Sequence, residues 1–512
     1  MKSKKRSNMK TSEAPNQSIG RSVARNMSVM FSAQAVNWVS SFLLLYFLPR
    51  LLGSEDYGRL YLALSIKMML GLLIDFGGNY LIPKEVARSE KTGSFILSSY
   101  IILRVLLWVL SIGAIILFSH LLGYSQHVHF LILILAVGKL WEGAYSAIGA
   151  YFQGIEQMEY PSLGNIIERL TVAVFSIAAL LMGADSIVIA IIMASAALLN
   201  LLVLMYFSRN VLKISYGFSF KVFGLLKTGM PYFLFSLFSV IYYRIDAVMI
   251  AAFTNESVTG WYGGAFRFFD IVMIFPLIYK TAIFPVFSRL WDDTKGKLEE
   301  TISESLRLMI ILGLPVALVV FVYAESIIHF FMGLDEYGPS VLILQIFSAS
   351  IPIIYLDIIL GSALLSAANK QNEWAMVGFA AIFVNIVLNY FLIPYSQEYF
   401  MNGGTGAALS TLFTELFMMS AAFVLLPKGY LKGFKASYVS KPAFSTVVMG
   451  AIVWGFNMIG LYWMLSMVSG LIVYICSLLL IKTFAPQELK LLKEFISVEH
   501  LKGFLKTSEA SE

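Results

Sequence analysis

The side chains most able to do chemistry in this chain are charges set inside long apolar runs. Arg267 and Asp270 stand three apart, so on a helix they share a face. Arg244 and Asp246 lie in the preceding apolar run, at similar depth. Lys139 and Glu142 repeat the i, i+3 spacing, while Arg104, Asp75, Lys67, Glu168, Arg169, Lys280, Asp357 and Glu415 are further charges in apolar surroundings. Each such charge costs roughly 2.5–3.5 kcal/mol near the centre of a membrane helix. The load is tolerable only where the groups pair or face hydrated space. Two chemistries follow. The cations Arg244, Arg267, Arg104 and Lys139 can grip a multivalent anion and release it again if the space stays wet. The carboxylates Asp246, Asp270, Glu142 and Asp75 can take up protons or cations and alter that grip. The competing reading is structural: salt bridges that hold helices together, above all the two carrying Arg244 and Arg267. Glu168, Arg169 and Lys280 also fit a membrane boundary, where a long lysine stem can snorkel.

Elements that could position such charges are plain in the composition. Of 512 residues 58% are hydrophobic and 13% charged, and the mean hydropathy is +0.78. A soluble domain needs far more charge to cover its surface. About fourteen apolar stretches are long enough to span the hydrocarbon. They lie near 27–48, 60–82, 95–119, 128–150, 162–182, 186–207 and 224–252, then 258–287, 306–331, 339–367, 374–394, 404–427, 438–459 and 462–484. The first is too long for a signal-peptide core and no cleavage pattern follows it. With the N-terminus cytoplasmic, the basic residues gather inside: Lys2 to Arg25, Lys84, Arg88 and Lys91, Arg209 to Lys227, Arg289 to Arg307, Lys370, Lys428 to Lys441, and Lys482 to Lys506. The outer loops hold only Arg50 and Arg59, an asymmetry that places both termini inside. The inner loop at 151–161 departs from it, with Glu156 and Glu159 and no base. Once mapped in this way, the net charge of +6 gives no nucleic-acid signal.

An internal repeat organises the spans. LGSEDYGRLYLALS at 52–65 matches FTNESVTGWYGGAFR at 253–267, pairing Gly58 with Gly260 and Ala63 with Ala265. FQGIEQMEYPSLG at 152–164 matches SAANKQNEWAMVG at 366–378, pairing Gln157 with Gln371 and Gly164 with Gly378. Two matches in the same order predict duplicated six-helix lobes related by an axis along the membrane normal. The expected fold is an all-α membrane protein of two pseudo-symmetric lobes plus two C-terminal helices. Its parts are a basic arm at 1–26, an N-lobe at 27–207, a linker at 208–223, a C-lobe at 224–427, helices 13 and 14 with their loop at 428–484, and a tail at 485–512. Arm and tail suit an anionic lipid surface. Pro231, Pro276, Pro285, Pro315 and Pro352 are candidate hinges or static kinks.

Several strings together resemble the oligosaccharide-lipid flippases of the multidrug/oligosaccharidyl-lipid/polysaccharide exporter superfamily. They are LPRLLGSEDYGRL (48–60), DFGGNYLIPKEVAR (75–88), YFQGIEQMEY (151–160), YYRIDAVMIAAF (242–253), FPVFSRL (284–290), VNIVLNYFLIP (384–394) and GTGAALSTLFTE (404–415). The resemblance implies a central cavity opening alternately to each side and, as cargo, a polyprenyl-pyrophosphate-linked sugar for cell-surface polysaccharide biosynthesis. It also implies a cytoplasmic (inner) membrane location. In the lipid II flippase branch two extra C-terminal helices form a groove for the lipid tail, and helices 13 and 14 resemble them in position. Helix 1 departs from that branch, offering Gln34 and Asn37 and no base. A pyrophosphate is the kind of anion that paired arginines hold bidentately. The expected partners are the lipid-linked sugar, membrane lipids and polysaccharide-assembly enzymes, with no nucleic acid, a monomeric state, and no cofactor beyond a coupling H+ or Na+.

Other classes find less support. No GxxxxGK[ST] phosphate loop or HExxH zinc helix occurs. Asp292 and Asp293 lack the third carboxylate of a metal-dependent transferase, and no loop is large enough for a membrane glycosyltransferase or polymerase. His120, His127 and His129 have no further ligand nearby in sequence, so no metal site is expected. Cys476 excludes an internal disulfide. An ion-coupled multidrug antiporter of the same superfamily remains the rival, although buried cations would repel its cationic cargo.

Overall fold

The computed structural model of the protein describes residues 15–209, 222–293, 295–427 and 429–484. Residues 1–14 of the expected arm, most of the linker and the whole tail lie outside them, as do Lys213, Lys221 and Lys428. Within the described residues every regular element is helical. Apolar side chains on membrane-length segments leave the backbone no solvent to bond to, so each segment satisfies itself as a helix.

In chain order the helices are α1 (Pro15–Asp75), α2 (Gly78–Arg88), α3 (Glu90–Leu121), α4 (Gln126–Gly154), α5 (Glu159–Leu181) and α6 (Ser186–Ser208). Then come α7 (Val222–Phe253), α8 (Glu256–Val272), α9 (Ile274–Asp293), α10 (Lys295–Val322), α11 (Ala324–Phe331) and α12 (Leu334–Tyr337). The chain ends with α13 (Ser340–Asp357), which runs on as a π-helix over Ile358–Leu365, α14 (Gln371–Phe400), α15 (Gly403–Leu425), α16 (Ser437–Met458) and α17 (Trp463–Leu480).

Thirteen segments among the described residues are long and apolar enough to cross a membrane. The first, Ser32–Arg88, has 57 residues and is broken at Gly53 (φ 75°), so it holds length for two crossings and the count expected from hydropathy is met. Some bounds move. The second expected span stops at Asp75, where Phe76 and Gly77 both take positive φ and α2 starts afresh. The eighth divides at Met273 into α8 and α9, with Pro276 in the first turn of α9, where its missing N–H costs nothing. The ninth begins earlier, at Lys295, because its amphipathic first turns escape a hydropathy reading. Pro285, Pro315 and Pro352 lie inside helices.

The chain packs as two compact units: residues 1–264, 331–336 and 389–404, and residues 265–330, 337–388 and 405–512. In the first, the repeat-related glycines meet. A Cβ on Gly58 would stand 1.8 Å from the Glu256 carbonyl oxygen, and one on Gly260 would stand 2.0 Å from that of Ser54. The two helices therefore cross with backbones touching, each glycine lying against its counterpart's helix as in an isologous contact. Glu336 closes the same corner. Its carboxylate accepts from Ser54 N at 2.6 Å, and its carbonyl accepts from Trp261 Nε1 at 2.7 Å. In the second unit, α16 and α17 are tied to the α10–α11 segment through Tyr474 Oη to Ile311 O and Tyr323 Oη to Ser466 Oγ, both 2.6 Å.

Candidate functional site

Two polar clusters in the first unit gather half of the expected charges. The first is built on one face of α4. Lys139, Glu142, Gly143 and Ser146 follow i, i+3, i+4, i+7 spacing, so they line up along the helix. The segment of α1 after Gly53 supplies Lys67 and Asp75, and α3 supplies Arg104. Glu142 bridges two ammonium groups, Lys139 Nζ at 2.6 Å and Lys67 Nζ at 3.1 Å. Gly71 makes room, since a Cβ there would lie 2.5 Å from Lys139 Nζ.

Arg104 is 2% exposed and densely partnered. Its Nη2 donates to Asp75 Oδ1 and, at 3.0 Å, to Asn79 Oδ1. Its Nη1 donates to the Gly143 carbonyl and, at 3.0 Å, to Ser146 Oγ. Asp75 also accepts from Asn79 N at 3.2 Å, joining the end of α1 to the first turn of α2. The guanidinium thus ties α1, α2, α3 and α4 together. Three cations there meet two carboxylates, and each carboxylate is ion-paired, which limits the cost of burying the charges.

The second cluster surrounds Asp246 on α7, 3% exposed. Its Oδ2 accepts from Tyr262 Oη of α8 and its Oδ1 from Asn389 Nδ2 of α14, both at 2.6 Å. These two donors are neutral groups, a phenol and an amide. Arg244, two residues earlier, points to a different side of α7. Its Nη1 donates to Tyr61 Oη at 3.3 Å, and the guanidinium carbon lies 6.0 Å from the centre of the Tyr61 ring. Between the seventh and eighth spans, the first unit holds a hydrogen bond from Tyr262 to Asp246. Arg267 is exposed and Asp270 half-buried, both on the part of α8 that belongs to the second unit.

The structure therefore joins Arg104 with Asp75 and Lys139 with Glu142, and gives Asp246 two partners that a search for charges alone misses. Tyr262 sits in the repeat string GWYGG and Asn389 in VNIVLNYFLIP, where an amide in an apolar run was the available signal. His127 Nε2 lies 2.9 Å from Ser186 Oγ and 3.6 Å from Asp56, both on other helices, and His129 Nδ1 donates to Ser125 O at 2.8 Å. Among the described residues no group of three or more His, Cys, Asp or Glu is placed to hold a metal.

Comparison with known proteins decides the class. Residues 23–291, more than half the chain, match the family described as "Polysaccharide biosynthesis protein". The chain belongs to that family. Residues 231–391 also match the MatE family. A probable low-salt glycan biosynthesis flippase of Haloferax volcanii is 25% identical over 455 residues, which is 85% of this chain and 90% of that protein. A lipid II flippase, MurJ, in an inward closed conformation superposes with a TM-score of 0.71 at 15% identity, covering 89% of this chain and 98% of that one. An inward-facing multidrug resistance MATE transporter superposes with a TM-score of 0.61 at 16% identity, covering 79% and 96%. Family and fold agree with the superfamily that the sequence strings resemble. The protein is a multi-pass, all-α membrane protein of the polysaccharide biosynthesis family.

Proposed function

We propose that the protein moves a polyprenyl-pyrophosphate-linked oligosaccharide across the cytoplasmic membrane by alternating access, for the assembly of a cell-surface glycan. The two lobes at 27–207 and 224–427 would rock about the Gly58–Gly260 crossing, as a monomer with both termini cytoplasmic. The observation that carries this reading is the Asp246 cluster beside Arg244. It sets a buried carboxylate and an arginine within one turn of an apolar helix, on different sides, the carboxylate accepting from a phenol and an amide and the arginine donating to a tyrosine. Arg244 and Arg267 are each candidates for the grip on the pyrophosphate, because guanidinium forks match phosphate oxygens bidentately. Asp246 and Asp270 are each candidates for taking up the coupling H+ or Na+ and so changing that grip. Arg104, Lys139, Glu142 and Asp75 act as positioning residues that keep the N-terminal helices in register. The glycan flippase relative and the polysaccharide family membership support this cargo over a drug.

The test is reconstitution in vesicles with a fluorescent polyprenyl-pyrophosphate sugar, comparing wild type with Arg244→Ala and Arg267→Ala at equal folded amounts. Wild type is expected to flip the lipid and both variants to fail. Export of cationic dyes with no lipid movement under any ion gradient would replace this reading with the antiporter.

A further inference from the structure

Four helix starts in the first unit carry a charge network that has no part in the reading above. They are the part of α1 after Gly53 and the beginnings of α4, α6 and α8. Asp56 is the hub. Its Oδ2 accepts from Ser186 N at 3.0 Å, and its Oδ1 accepts from Arg59 Nη1 at 3.1 Å. His127 Nε2 stands 3.6 Å from that same Oδ1 and 2.9 Å from Ser186 Oγ. An imidazole and a guanidinium thus face one carboxylate oxygen.

Arg59 has a second place to go. Its Nη2 donates to Glu55, while its Nε is buried and makes no hydrogen bond. Glu256 Oε1, in the first turn of α8, lies 3.9 Å from that Nε, about 1 Å beyond the range of a charged hydrogen bond. One turn later on α8 comes Gly260, whose backbone lies against Ser54 O. The gap between Arg59 and Glu256 therefore spans the same crossing as the two glycines. The other charged or titratable groups around the corner are already engaged. Glu336 accepts from Ser54 N, Asp185 from Val188 N, and His129 Nδ1 donates to Ser125 O. The His120 ring centre lies 6.4 Å from that of His129.

An imidazole gains its charge between about pH 5 and 8, and only the charged form attracts a carboxylate strongly. A charged His127 draws on Asp56 Oδ1 and repels the guanidinium that holds it. We propose that His127 operates a latch: its protonation takes Asp56 over from Arg59, and Arg59 closes on Glu256. That step draws α8 onto α1 and stiffens the Gly58–Gly260 crossing. Loss of the proton returns Arg59 to Asp56 and loosens the crossing. By the topology proposed above the corner faces the outer side of the membrane; only that sidedness rests on the proposed function.

The experiment is hydrogen–deuterium exchange on the full chain in lipid nanodiscs, at about pH 5.5 and about pH 7.5, corrected for the intrinsic pH dependence of exchange. Peptides spanning Gly58 and Gly260 should exchange about fivefold more slowly at the lower pH, the scale of one partly exposed ion pair. The difference should vanish in His127→Gln, which keeps every carboxylate, His120 and His129. In Glu256→Gln it should vanish at Gly260 and persist at the Ser186 amide, which reports on Asp56. Equal protection of the crossing at both pH values in wild type overturns the inference, and needs no variant to fold. So does a pH response that survives in His127→Gln, or one at Gly260 that survives in Glu256→Gln. Flipping of the lipid-linked sugar is scored separately. Flipping with a corner blind to pH leaves the proposed function standing, whereas a working latch without flipping removes that function and keeps the latch.

Discussion

The Arg104 cluster and the Asp246 cluster lie in the same compact unit and in equally apolar helices, yet they handle charge in opposite ways. Around Arg104 each ion meets an opposite ion: Asp75 faces the guanidinium, and Glu142 is shared by Lys67 and Lys139. Around Asp246 a phenol and an amide both donate to the carboxylate and orient it. The first arrangement sets three cations against two carboxylates and links them into ion pairs. The second holds its carboxylate through at least two neutral donors. A buried ion pair chiefly holds elements in place, whereas a buried charge held by dipoles is available for a cycle of binding and release.

This contrast can be broken by experiment. The largest effect is expected for Arg104→Ala, which strands Asp75 and several acceptors; it should lower stability by about 3–5 kcal/mol. Thermal unfolding in detergent reads that loss, and transport per folded molecule should hardly change. If transport vanished while stability held, the cluster would be functional and the contrast wrong. Asp246→Asn should do the reverse. Its unfolding midpoint stays near that of wild type while the flipping rate falls about a hundredfold, each tenfold being about 1.4 kcal/mol.

Tyr262→Phe keeps the charge but removes one donor, and hydrogen bonds to charged groups contribute about 1.5–3 kcal/mol. Its flipping rate should fall about tenfold at saturating lipid, with the ion dependence shifted; an unchanged ion dependence would separate Tyr262 from coupling. Lys67→Met is the mildest change. Glu142 retains Lys139, so the stability cost should stay under about 1 kcal/mol, and a larger drop would show that the two lysines act as a unit.

Much of this was readable beforehand. The apolar runs locate the helices because hydropathy at this length has one physical outcome, and the i, i+3 spacing of Lys139 and Glu142 predicts the pair that forms. The repeat strings name Gly58 and Gly260, but not that the two glycines would lie against each other. Asn389 and Tyr262 stayed hidden since neutral polar residues are common in membrane helices, and only a long-range contact marks them out. Glu336 was invisible for the same reason: it reaches Ser54 across most of the chain.

By itself, the sequence determined that this chain is a membrane-embedded helical bundle, that its charges sit at depth, and which superfamily its strings resemble. Those properties depend on residue type and local spacing, which solvent and hydrogen-bond geometry translate directly into helices. Tertiary structure alone decided which charges neutralise one another and which are held by neutral groups. Partners such as Asp246 and Asn389, or Arg104 and Gly143, come from different helices, and helix packing rather than sequence distance sets whether their side chains meet.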